Sequence, residues 1–196
     1  MDAHTAVSDA AVIQAVFDET IALHQRMRDA IHESVIEAVS AIRASLAAGG
    51  KLLVFGNGGS AADAQHMTAE MVGRFERERE GLAAIALTAD ASILTSVAND
   101  FTFDWVFARQ IEALGKREDV ALGISTSGRS PNVLTALEAA NAKGMKTVAL
   151  TGGDGGVIGK AAAIHINVPH PSTARVQEVH RTVIHAICAL VERTRS

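Results

Sequence analysis

Between positions 8 and 48 the chain has no Pro or Gly, and its apolar residues recur at helical spacing. Val12, Val16, Ile21 and Leu23 belong to one predicted helix; Ile31, Val35, Val39, Ile42 and Leu46 belong to a second, which Gly49-Gly50 stops. Beyond that the period changes. Apolar runs at 51–55, 82–87, 120–124, 147–150 and 164–168 read as buried strands, with helical or turn-rich segments between them. A last helix is expected over about 173–194, with Val176, Val179, Val183, Ile187 and Leu190 as its apolar stripe. The rhythm predicts an α/β fold, a five-stranded parallel sheet flanked by helices in three layers. No repeat, linker or composition shift divides the chain, so one domain over 1–196 is expected, with 1–49 packing on the sheet or on another subunit.

In such sheets ligands bind beyond the carboxyl ends of the strands. The polar and Gly-rich loops obey that rule: 56–60 after the first strand, 125–130 after the third, 151–156 after the fourth and 169–172 after the fifth. The 125–130 loop is the most telling. Ser125, Thr126, Ser127 and Ser130 surround Gly128, and Pro131 suits the first position of a helix. Free backbone N–H groups, the positive end of a helix and four hydroxyls make a cradle for phosphate without a lysine.

Composition narrows the function. A net charge of −4 argues against nucleic acid, whose phosphates require a basic face. The single cysteine, Cys188, excludes an intrachain disulfide or a cysteine-cluster zinc site, reads as a core residue and fits a reducing cytoplasm. Met1–Thr5 show no basic or apolar leader region, and no apolar run is long enough for a bilayer, so neither secretion nor a membrane partner is expected.

Two helices carry candidate chemistry. After the first loop, Asp63, His66 and Glu70 share one face, with Arg74 extending the row. On the last helix His185 points away from the apolar stripe, whereas His180 neighbours it as an interior histidine would. Glu178 stands nearly in line with His185 and Gln177 about 80° away, so spacing slightly prefers Glu178 as its partner. A His–Glu pair on one helix facing a Gln/Glu–His pair on another suits Zn²⁺ or a similar divalent ion. Gly56-x-Gly58-x-x-Ala61 also fits a dinucleotide fingerprint, a weak motif, with Asp90 as its ribose ligand.

Taken together, the motifs resemble the sugar isomerase (SIS) family, and within it the phosphoheptose isomerases. The matching pieces are Gly56-Asn-Gly-Gly-Ser60, Asp63-Ala-x-His66-x-x-x-Glu70, Gly73-Arg74, Asn99-Asp100-Phe101, Leu122-Gly-Ile-Ser-Thr-Ser-Gly128-x-Ser130, Lys143-Gly-Met-Lys146, Leu150-Thr-Gly152 and Gln177-Glu-Val-His180-x4-His185. The resemblance implies interconversion of sedoheptulose 7-phosphate and a heptose 7-phosphate aldose, supplying nucleotide-heptose precursors for lipopolysaccharide or capsule. It also implies a homotetramer with active sites between subunits. Carried across by position, Ser60, Ser125, Thr126, Ser127 and Ser130 would bind phosphate, and Asn57, Arg74, Asp100 and Gln177 would contact the sugar. One zinc ion per subunit would lie among His66, Glu70, Gln177 and His185, and here the resemblance selects Gln177 over Glu178. Glu70 and His185 would move the protons, with Asp63 orienting His66. Ala174 departs from the family, which often has an acidic residue there. Two rival readings are a non-catalytic SIS protein that binds a phosphosugar or a replication initiator, and a nicotinamide-dependent enzyme.

Overall fold

The computed structural model describes residues 8–193; the leader reading at Met1–Thr5 and the end of the last helix at Thr194 lie outside them. Two helices open it, α1 (Asp9–Ala30) and α2 (His32–Ala47). Ser8 caps α1 by accepting from the Ala11 N–H, and the break falls at Ile31 without Gly or Pro. Then follow β1 (Leu52–Gly56), α3 (Gly59–Val72), β2 (Ala84–Ala86), α4 (Ala91–Asp100), a 3-10 turn at Phe103–Trp105 and α5 (Ala108–Leu114). The remainder alternates as β3 (Val120–Ser125), α6 (Pro131–Ala142), β4 (Lys146–Gly152), α7 (Gly156–Ala161), β5 (Ile164–Val168) and α8 (Thr173–Glu192).

The five strands are parallel in the order β2-β1-β3-β4-β5. Every apolar run expected to be a strand is one. The second shrinks to three residues, although Leu52 and Leu87 extend its pairing through backbone bonds to Ala83 and Val54. The direction of chain progression reverses between β1 and β3, so their carboxyl ends diverge into loops on opposite faces and leave a crevice. Leu52, Val54, Leu122, Ile124, Val148 and Ile166 pack under α1, α2, α3 and α8. Leu53, Phe55, Ala121 and Ala149 face α5, α6 and α7.

The apolar positions in the first half of α1 do not enter this core: Val12, Ile13, Val16, Phe17 and Ile21 are exposed, and only Leu23 and Met27 are buried. Among the described residues no helix is long and apolar enough to cross a membrane.

Candidate active site

The loop after β3 folds as its residues demand. Gly128 has φ of +65°, and a side chain there would strike the backbone of Gly155 and Gly156, so only glycine fits. Ile158 N–H donates to the Gly128 carbonyl at 3.1 Å, fastening the loop to α7. Ser125 Oγ lies 3.0 Å from Ser130 Oγ and 3.4 Å from Ser127 Oγ, and the Arg129 N–H donates to Ser127 Oγ at 3.2 Å. Ser130 is the N-cap residue of α6, yet its side chain makes no capping bond. The first N–H groups of α6 are therefore left for a ligand, beside converging hydroxyls. Across the crevice, Asn57 and Asn132 exchange side-chain hydrogen bonds of 2.8 and 2.9 Å and tie the first loop to α6. Ser60 is buried in the first turn of α3.

A second group of polar residues runs along the seam where α3 and α8 lie side by side in parallel. Its rungs follow the helical repeat. The Gln177 amide rests against Gly59, where an added Cβ would collide with it. One turn on, Arg181 meets the buried Asp63 at 2.5 Å. One turn further, His66 Nε2 and His185 Nε2 approach to 2.8 Å, one donating its N–H to the other. Glu70 Oε1 lies 3.5 Å from His66 Nε2, and the Phe75 ring lies 5.5 Å from the His185 ring, centre to centre. The trio is half-buried. Burial first, and then the Arg181 charge, hold His66 below the ordinary histidine pKa, which favours a neutral ring able to act as a ligand. Burial raises the Asp63 carboxyl even though Arg181 opposes it.

Among the described residues no three His, Cys, Asp or Glu side chains already stand together at metal-holding separations. The donor chemistry nevertheless fits a divalent ion: two imidazole nitrogens aimed at each other, with a carboxylate beside them. For both nitrogens to hold one ion, the 2.8 Å contact between the rings would have to open. Gln177 lies two turns from His185 on α8, about 12 Å along the axis, and lines with Gly59, Asp63 and Arg181 a groove of about 610 Å³.

The sequence profile of the SIS domain family matches residues 16–152, from α1 through β4. The chain belongs to the SIS domain family. Its similarity to SIS relatives extends further than that match. It is 50% identical to a phosphoheptose isomerase of Halorhodospira halophila, over 99% of this chain and 96% of the relative. With a phosphoheptose isomerase of Geobacter sp. the identity is 54%, over 93% of each. The solved phosphoheptose isomerase of Neisseria gonorrhoeae superposes with a TM-score of 0.90 at 44% identity, covering 95% of this chain and 100% of that one. The Francisella tularensis enzyme gives 0.92 at 37% identity, with the same coverage.

Within this SIS fold several expected residues take other partners. The Glu178 carboxylate, which spacing preferred for His185, is held by Arg175 at 2.6 Å and Thr20 at 2.8 Å. Asp63 meets Arg181, and α3 ends at Val72, so Arg74 lies beyond the helix and its row. Arg74 is exposed; Asp100 ends α4 and accepts from Asn99 at 2.9 Å. Asp90 caps α4 through the Ile93 N–H, which engages the carboxylate that a dinucleotide reading needs for ribose. His180 is an interior residue, with Nε2–H donating to the Thr151 carbonyl at 2.9 Å. Cys188 is buried in α8, and burial pushes its thiol up to about 12, away from reactivity. Asn132, Phe75 and Arg181 escaped the sequence reading. The i, i+4, i+8 row Gln177, Arg181, His185 carried a signal for the last of these.

Proposed function

We propose that this chain is an aldose–ketose isomerase that converts sedoheptulose 7-phosphate to D-glycero-D-manno-heptose 7-phosphate. The His66–His185–Glu70 cluster carries the reading. A module that only holds a phosphosugar has no use for two facing imidazoles and a carboxylate, so the regulator reading is the weaker one. Relatives that bear the name phosphoheptose isomerase at 50–54% identity support the same substrate.

The reaction moves a proton between neighbouring carbons and a second between their oxygens. Glu70 takes the carbon-bound proton and returns it to the adjacent carbon. His185 passes the proton from one oxygen to the other. The hydroxyls of Ser60, Ser125, Thr126, Ser127 and Ser130, with the free N–H groups of α6, hold the phosphate. Asn57, Arg74, Asp100 and Gln177 orient the sugar hydroxyls. His66, Glu70 and His185 would hold a divalent ion, with zinc suited to this donor set and Gln177 as the remaining donor. When bound, such an ion polarises the carbonyl and hydroxyl oxygens of the substrate.

The apolar face of α1 supports a homotetramer, because Val12, Ile13, Val16 and Phe17 are exposed in the single chain. The assembly would bring residues of neighbouring chains to each site. A cytoplasmic location and a supply of heptose for lipopolysaccharide or capsule complete the proposal.

The test is conversion of sedoheptulose 7-phosphate by protein with one bound zinc per subunit, by protein stripped with chelator, and by stripped protein reloaded with zinc. Loss and recovery are expected. Full activity without metal would take the ion out of the mechanism, and no conversion in any form would overturn the isomerase reading. Light scattering reports the assembly; a monomer at micromolar concentration would exclude the tetramer.

A further inference from the structure

Glu192 ends α8, where the partial negative charge of a helix terminus disfavours a carboxylate. It is nonetheless buried, its side chain 2% exposed. The carboxylate accepts the backbone N–H groups of Phe75, Glu76 and Arg77 at 2.8, 3.0 and 3.1 Å, and Nε–H of Arg79 at 3.1 Å. Arg79 in turn donates to the carbonyls of Glu70 at 2.7 Å, Met71 at 2.8 Å, Gly73 at 3.3 Å and Glu80 at 3.1 Å. This one ion pair thus organises the segment from the end of α3 to β2, which contains no regular structure of its own. Both ends of that arrangement reach the candidate chemistry. Arg79 grips the last turn of α3 at Glu70 itself, and the ordered loop lays the Phe75 ring on His185.

We propose that the Glu192–Arg79 pair is a positioning element for the isomerase site, fixing Glu70 from behind and seating Phe75 over His185. The inference rests on the isomerase reading above. The pair touches no substrate; it acts through the loop and the last turn of α3. A pair serving stability alone would not join the backbone that carries Glu70 to the residue that covers His185. Burial raises the Glu192 carboxyl, but the three N–H groups and Arg79 outweigh it and hold the group below the ordinary glutamate pKa, so it stays ionised where it is needed.

The experiment compares Glu192→Gln and Phe75→Leu with the unaltered protein. Amide hydrogen exchange at 75–77 and the ring resonances of His185 are read alongside kcat and KM for sedoheptulose 7-phosphate. Glu192→Gln is expected to speed exchange at 75–77, shift the His185 signals and lower kcat by about 10-fold, with KM within about twofold, because misplacing a reacting group costs rate rather than phosphate binding. Phe75→Leu should leave exchange unchanged and still shift His185 and lower kcat; it decides the matter if Glu192→Gln does not fold. Unchanged kcat in both variants would overturn the proposal, as would a loss confined to KM. If the unaltered protein does not turn over the sugar phosphate, the isomerase reading fails by itself. The exchange and His185 signals then still judge the positioning, and unchanged values in both variants would overturn it.

Discussion

The 125–130 loop and the α3–α8 seam solve opposite problems. The loop gathers neutral donors from six consecutive residues, and its shape follows from local rules: a glycine at φ of +65°, a serine before a helix, a proline inside it. The seam gathers charged and titratable groups 119 positions apart, and exists only once two helices have been packed against one sheet face. An anion holder is built from backbone and hydroxyls because these need no tuning. A proton-moving centre needs burial and neighbours that set protonation, which a local turn cannot supply.

Several experiments would break or sharpen this division. The largest effect belongs to the seam: Glu70→Gln should lower kcat by about 10²–10⁴-fold, with little change in KM. A comparable change in KM alone would make Glu70 a binding residue and erase the distinction. Next comes the buried side of α8. His180 is fully buried and held down to about 4, first by burial, while the Thr151 carbonyl opposes. Its folded pKa lies below the unfolded value, so the unfolded chain binds the extra proton. Stability contributed by the neutral ring is complete above about pH 6.5 and is lost as pH falls towards about 4, amounting to roughly 3 kcal/mol. Urea midpoints measured between pH 7 and 4 should fall less steeply in His180→Gln than in the unaltered protein. Equal slopes would place the acid sensitivity elsewhere.

Asp63→Ala tests the middle rung. It strands the Arg181 charge, but Arg181 is about a third exposed, so the expected loss of about 2 kcal/mol in denaturant unfolding is below that of a fully buried pair. The smallest effect belongs to the loop. Ser130→Ala should raise KM roughly 10-fold, the value of one hydrogen bond to a charged ligand, and spare kcat. A fall in kcat with unchanged KM would move chemistry into the loop and remove the contrast.

This division also explains what was legible in the sequence. Strands and the turn at 125–130 could be read because unbroken apolar runs and turn chemistry are local. Gly59, Gln177, Asp63 and Arg181 could not be paired, since nothing in sequence spacing says that α3 and α8 run parallel in that register. Spacing preferred Glu178 for His185 because both lie in line on the helix, but Arg175 and Thr20 take its carboxylate. For the first half of α1 the sequence left open whether the sheet or another subunit covers the stripe, for a related reason. An apolar stripe reports that something is buried, not which chain buries it.

Two of the crowded glycines, Gly128 and Gly59, constrain substitution in different ways. At Gly128 an extra methyl group meets rigid backbone and an unfavourable φ, so no replacement leaves the turn intact. At Gly59 it meets only the mobile tip of Gln177, which can swing aside while the helix stays as it is. Replacing Gly59 with alanine is therefore a remote handle on the amide. It displaces Gln177 without altering its identity, and so separates what that side chain does by being present from what it does by being in place.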